Sequence, residues 1–219
     1  MELLVVTLAY TTPAKDTDTL AQVQLVSETV RSAPGSITSR AYRGRGSSPC
    51  YAILTTWENE EAWKKAQERH NPKQLLSVAT RFLVSPPEQW LFSYVWGYSR
   101  PAEASSVAAI HLATVRPEQA DVAQRGWVEG LRRQAAQHNL AFAFLARGLS
   151  EQSTIASSTE ETIVDQNIKA RAQGSTFITL LNWSSDGKRE DFYADPDYTA
   201  VSRFISSIGT IQIFALEPL

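Results

Sequence analysis

Two stretches of this chain, more than a hundred residues apart, are written on one plan. WENEEAWKKAQERHNPKQLLSVATRF runs from Trp57 to Phe82, and NWSSDGKREDFYADPDYTAVSRF runs from Asn182 to Phe204. Each has a Trp leaving an apolar run, a charged stretch, an Asn-Pro or Asp-Pro step, and a helix-like segment ending in Arg-Phe. Further matches fall in the same order. Leu8-Ala9 matches Leu112-Ala113 and Arg43-Gly44 matches Arg147-Gly148, both at an offset of 104 residues. ILTTW, ending at Trp57, matches TLLNW, ending at Trp183, at an offset of 126. Matches in a fixed order, two of them at one offset, mark an internal duplication, and that restricts the folds open to the chain to those built from two like units. The division is into residues 1–103 and 104–219, with about 22 additional residues in the second copy, an insertion at about 149–174.

Each copy reads as the same series of elements. Residues 3–10 are rich in Leu and Val and predict a strand. A helix over about 16–32 places Leu20, Val23, Val26 and Val30 on one face, and Pro34-Gly35 ends it. Strands follow at about 36–43 and 50–57, then a helix at about 58–69. Asn71 reads as an N-cap with Pro72 at the first helical position, opening a helix to about Phe82. WLFSYVWGYS is the fourth strand. The second copy predicts strands at 106–115, 140–147, 175–183 and 209–217, helices at 117–138 and around 187–206, and one in the insertion at 159–173. The order β-α-β-β-α-β, written twice, is that of the ferredoxin-like α+β fold.

An antiparallel sheet with helices on one face needs a cover for the other. Cys50–Trp57 and Leu91–Tyr98 carry no charge on either face, the mark of strands buried on both sides. Leaving such aromatic surface in water is unfavourable by roughly 25 cal/mol per Å2. The two sheets are therefore expected to pack face to face as an α+β barrel within one chain.

Composition narrows the function. A formal net charge of -2, with RAYRGR (Arg40–Arg45) the one dense basic spot, argues against nucleic acid as a partner. The single cysteine, Cys50, allows no internal disulfide and fits a reducing compartment. MELLVVTLAY lacks the basic start of a signal peptide, and no apolar run reaches the roughly 18 residues of a membrane span. The expectation is a cytoplasmic protein without a membrane partner. No nucleotide-binding glycine loop, nucleophile elbow or metal-ligand spacing is present, so no bound metal or organic cofactor is expected.

The stretch Trp57–Phe82 resembles the antibiotic biosynthesis monooxygenase (ABM) pattern of the dimeric α+β barrel superfamily: a strand ending in Trp, an acidic helix with an inner Trp (Trp63), a His, then an Asn-Pro step and a short helix. His70, Asn71-Pro72 and Phe82 fit it. The second copy keeps Trp183, Asp195-Pro196 and Phe204 but has Ala194 where the first has His70. The resemblance implies that one chain supplies both halves of a barrel usually made by two. It also implies a small-molecule pocket between a sheet and its helices. A further homodimer stays open.

Three residues are candidates for catalysis. His70 shares a helical face with Trp63 and Ala66, and imidazole titrates in the range that suits acid–base work. His111 sits in mid-strand at the place of Thr7, either as a structural histidine or as the second copy's acid–base group. Arg40 shares a strand face with Tyr42 and could hold an enolate or phenolate. His138 reads as a solvated residue at a helix end. Trp57, Trp63, Tyr42, Tyr94, Trp96, Tyr98, Trp183 and Tyr193 are candidates to line a pocket for a flat, hydrophobic or aromatic molecule. The expected function is cofactor-independent tailoring, by a monooxygenase or a cyclase, of an aromatic or polyketide-like substrate. The alternative is a non-catalytic, ligand-binding or stress-type barrel.

Overall fold

The structure, a computed structural model, describes residues 2–46, 49–78, 80–100, 106–137, 140–149 and 175–219. The strands are β1 (Leu3–Tyr10), β2 (Ser36–Gly44), β3 (Cys50–Trp57), β4 (Glu88–Ser99), β5 (Val107–Val115), β6 (Phe142–Gly148), β7 (Ser175–Trp183) and β8 (Gly209–Pro218). The described helices are α1 (Asp16–Arg31), α2 (Glu60–His70), α3 (Pro72–Ser77), α4 (Ala120–Ala136), α5 (Asp186–Ala194) and α6 (Pro196–Ile208). His138 and the helix expected at 159–173 lie outside the described residues.

The chain forms two compact units, Met1–Tyr94 with Phe214–Leu219, and Val95–Ile213. In the first, β1 pairs with β3 and β4, and β3 pairs with β2, all antiparallel. In the second, β7 pairs with β5 and β6, again antiparallel. Both follow the ferredoxin-like plan. The division between the units falls inside β4 and β8 and so does not coincide with the repeat boundary at 103/104. Over the chain, hydrogen-bonded neighbours run β1-β3-β2-β8-β5-β7-β6-β4 and close on β1, the order of an eight-stranded α+β barrel.

The duplication holds at the level of register. Leu3 pairs with Trp57 as Val107 pairs with Trp183, and Thr7 pairs with Ile53 as His111 pairs with Thr179. Helix caps repeat too. The Asn71 side chain accepts from Lys73 N at 3.0 Å, and the Asp195 side chain accepts from Asp197 N at 2.8 Å and Tyr198 N at 3.1 Å. With Pro at the next position, each cap restarts a helix after a break. The helix expected to reach Phe82 ends at Ser77, whose Oγ donates to the Lys73 carbonyl at 2.7 Å. A separate 3-10 turn then covers Thr80–Phe82.

In the first unit α1 buries Val23, Val26 and Val30. Tyr51 donates to Asp16 Oδ1 at 2.6 Å, and Asp16 also pairs with Arg43. The second unit repeats this arrangement with Arg147 on Asp121 at 2.8 Å and with Phe177 in the place of Tyr51. There α4 buries Ala123, Trp127 and Leu131. Gly130 lets α6 approach, since a Cβ at that position would lie 2.9 Å from Val201 Cγ2. At the start of β8 a Cβ on Gly209 would meet the Thr114 carbonyl oxygen at 2.1 Å. No described helix is long and apolar enough to cross a membrane.

Candidate functional site

Alternation along β5 sends Val107, Ala109, His111, Ala113 and Val115 to the helix-facing side of the second unit's sheet. The four apolar members join Trp127, Phe177, Leu181, Trp183, Phe192 and Ile205 in that unit's core. His111 lies among them, fully buried. Its Nε2 is 2.8 Å from the Tyr193 hydroxyl and its Nδ1 is 3.4 Å from the Tyr198 hydroxyl. Tyr193 is near the end of α5 and Tyr198 in the first turn of α6. The Asp195-Pro196 break between the helices lets two residues five apart converge on one imidazole.

An aromatic wall surrounds this cluster. The His111 ring centroid is 5.9 Å from each tyrosine ring, and the two phenols stand nearly edge to face, 5.2 Å apart at 80°. Phe192 approaches Tyr198 at 4.5 Å, and Trp183 approaches Tyr193 at 5.8 Å. Burial holds the His111 pKa down to about 3, so the imidazole is neutral. Desolvation pushes both phenols up, for Tyr193 with the help of neighbouring Tyr198, so both stay protonated. A neutral imidazole has one donor and one acceptor nitrogen. Between two hydroxyls it can donate to one and accept from the other.

The first unit has the same scaffold and different chemistry. Thr7 takes the place of His111, and Gln89 Nε2 bridges it to the Asn71 cap, at 2.9 Å from Thr7 Oγ1 and 3.0 Å from Asn71 Oδ1. Trp57 and Trp63 are both buried, with ring centroids 5.3 Å apart. His70 is the last residue of α2, half-buried on the same helical face as buried Trp63 and Ala66. Its counterpart Ala194 is exposed.

A second polar group lies on the opposite face of the first unit's sheet. Arg40 pairs across the ladder with Leu54, Tyr42 with Ala52 and Thr38 with Thr56, so Arg40, Tyr42 and Thr56 share a face. The Tyr94 and Thr56 hydroxyls are 2.8 Å apart. Burial raises the Tyr94 phenol, against the opposing pull of the Thr56 hydrogen bond and the Arg40 charge. Tyr42 is buried and Arg40 exposed. Trp96 and Tyr98, the candidates that continue β4 in the second unit, stack with planes 3° apart.

The candidates thus separate into His111 with Tyr193 and Trp183, Arg40 with Tyr42 and Tyr94, Trp96 with Tyr98, and the Trp57–Trp63 pair near His70. Sequence reasoning missed Tyr198, Phe192 and Thr56. The available signal for Tyr198 was YADPDY, two tyrosines flanking a helix break. Among the described residues no group of three or more His, Cys, Asp or Glu is placed to hold a metal ion.

Residues 3–73 match the family model of the antibiotic biosynthesis monooxygenases. No curated protein sequence matches the chain. Among solved structures, an anthrone oxidase-like protein superposes with a TM-score of 0.73 at 15% identity, over 100% of this chain and 91% of that one. A Fusobacterium nucleatum protein described as a "putative monooxygenase" gives 0.72 at 8% identity, over 100% and 92%. A Listeria monocytogenes ferredoxin-fold protein related to antibiotic biosynthesis monooxygenases gives 0.51 at 10% identity, over 98% and 95%. At such identities the likeness is one of fold. The first repeat therefore carries a match to the antibiotic biosynthesis monooxygenase family, and the whole chain shares the fold of these solved structures.

Proposed function

We propose that the protein is a small-molecule monooxygenase that works by the acid–base chemistry of its own side chains on a flat phenolic or polyketide-like substrate, with His111 as the proton acceptor. The observation that carries this reading is the fully buried, neutral His111 held between the Tyr193 and Tyr198 hydroxyls. The family match over residues 3–73 and the fold shared with an anthrone oxidase-like protein support it.

The chemistry follows from the desolvation that keeps the imidazole neutral. A charged imidazolium is unfavourable in that core unless an anion forms beside it. An acidic C–H between two aryl rings, or next to a carbonyl, supplies one: both ring nitrogens of His111 face hydroxyls, so Tyr193 or Tyr198 takes the carbon's proton as it hands its own to His111, and the carbon becomes a resonance-stabilised anion. Each charge then compensates the other, so the site favours the ion pair over either ion alone. The Tyr193–His111–Tyr198 path carries the proton onward. The carbanion is electron-rich enough to react with O2. For a diaryl methylene, both C–H bonds break and the carbon becomes a carbonyl. The carbon is oxidised and O2 is reduced, with one oxygen atom entering the product and the other leaving with the two hydrogens as water. The aromatic surroundings of His111, Trp183, Phe192, Tyr193 and Tyr198, favour an aromatic substrate over an aliphatic one. In the first unit, His70 beside Trp63, and Arg40 with Tyr94, remain the groups to compare.

The test is incubation with 1,8-dihydroxyanthrone under 18O2, read by mass spectrometry. The reading predicts a product that has lost two hydrogens and gained one 18O. A product that has only lost water would make the protein a cyclase. An unchanged substrate over a panel of anthrones and β-diketones would leave the binding-protein alternative.

A further inference from the structure

We infer that the two tyrosines of the His111 cluster have opposite parts: Tyr193 donates to His111 and is the group that takes the substrate's proton, while Tyr198 accepts from His111 and acts as a positioning residue that fixes its tautomer. This deepens the function proposed above and rests on it for the reaction, but not for the direction of the hydrogen bonds.

That direction follows from the donors and acceptors present. Among the described residues the Tyr193 hydroxyl has one hydrogen-bond partner, His111 Nε2 at 2.8 Å. A phenol turned onto a fully buried ring gives its hydrogen to the acceptor it meets. Nε2 is therefore the bare nitrogen, and the neutral imidazole carries its hydrogen on Nδ1. Nδ1–H faces the Tyr198 oxygen, which accepts at 3.4 Å. The Tyr198 hydroxyl has a further hydrogen-bond partner in Ser202, one helical turn along α6, and gives its own hydrogen there. The lengths agree with these directions, because hydroxyl donors make shorter bonds than N–H donors.

A cluster directed in this way passes a proton in from one side. His111 has no exposed surface, whereas Tyr193 keeps some, so the substrate meets the cluster at a phenol. As the C–H bond breaks, its proton passes to the Tyr193 oxygen and its electron pair stays on carbon. The Tyr193 O–H bond breaks in the same step, and that proton forms a new bond to Nε2. The phenol is regenerated, and an imidazolium balances the carbanion. Tyr198 does not serve in this way, since its hydrogen points away from His111. Against the desolvation that raises the Tyr193 phenol, the charge of Arg189, one helical turn earlier, favours its anion. The first repeat carries none of the four polar members. Aligned on Pro72 and Pro196, it has Arg69, Gln74 and Val78 in the places of Tyr193, Tyr198 and Ser202, and Thr7 in that of His111.

The tautomer is read by long-range 1H–15N correlation NMR at pH 7.5 on protein labelled in its histidine rings, with His111→Gln assigning the signals. The expected result is a protonated Nδ1 and a bare Nε2 in the wild type and in Tyr193→Phe. Tyr198→Phe leaves a buried Nδ1–H without an acceptor, so the hydrogen moves to Nε2, where the Tyr193 oxygen accepts it. Oxygen uptake with 1,8-dihydroxyanthrone then separates the two parts. Tyr193→Phe should lower turnover about 100-fold or more. Tyr198→Phe should lower it about tenfold, the equivalent of the one hydrogen bond given up when the hydrogen returns to Nδ1. A hydrogen on Nε2 in the wild type, a tautomer unmoved in Tyr198→Phe, or a greater loss of turnover in Tyr198→Phe than in Tyr193→Phe overturns the inference. The expected tautomers with no oxidation of the anthrone by the wild type uphold the hydrogen-bond directions and refute the monooxygenase reading, and with it the part of Tyr193 in catalysis.

Discussion

His111 makes the stability of the protein depend on pH in a way that can be calculated. In the unfolded chain its imidazole titrates near 6.5, while in the folded protein burial holds it down to about 3. The folded state therefore binds no proton over a range in which the unfolded state does. Stability contributed by this group is fully present above pH 6.5 and is lost as the pH falls towards 3. Below 6.5 the slope approaches about 1.4 kcal/mol per pH unit. Between pH 7.5 and 5.0 the integrated loss is about 2 kcal/mol, and full burial leaves no solvent screening to discount it. Urea unfolding at half-unit intervals between these limits, for the wild type and His111→Gln, isolates the term. Gln keeps a neutral polar group in the same space but does not titrate. The wild type should lose about 2 kcal/mol more than the variant over that span. Parallel curves would refute the reasoning, because they would mean that His111 is solvated or already charged in the folded state.

Three further outcomes follow from the packing. Gly209→Ala would set a Cβ 2.1 Å from the Thr114 carbonyl oxygen and should destabilise by about 3 kcal/mol in chemical denaturation, the upper end of overpacking costs. Tyr51→Phe removes the hydroxyl that donates to Asp16 at 2.6 Å and should cost about 2 kcal/mol. The ring itself should be accommodated, since Phe177 occupies that position in the second repeat. Lys65→Ala breaks an i,i+4 pair with Glu61 that lies in solvent, and its melting temperature should stay within the error of measurement.

What could be read from the residues alone has a physical pattern. Trp57 and Trp183 close corresponding strands in one register, and Asn71-Pro72 and Asp195-Pro196 restart corresponding helices, because strand ends and caps are local devices with a local residue signature. The apolar character of β3 on both faces announced a strand covered on both sides. The chemistry was harder to read because it is not local. Tyr193 and Tyr198 reach His111 from 82 and 87 residues away, and nothing near His111 in the chain announces them. The motif that resembles the antibiotic biosynthesis monooxygenases drew attention to His70, while the more enclosed of the two described histidines stands on β5, outside that motif. Trp57, Trp63 and Trp183 are all fully buried, which hydrophobicity alone could not separate from lining a pocket.

The account stands or falls on which imidazole takes the proton. Oxygen uptake with 1,8-dihydroxyanthrone, measured at pH 7.5 for the wild type, His111→Gln and His70→Gln, tests it directly. Loss of the general base should lower turnover by about 100-fold or more in His111→Gln, while His70→Gln stays close to the wild type. Turnover retained in His111→Gln and lost in His70→Gln would contradict the account and place the reaction in the first repeat.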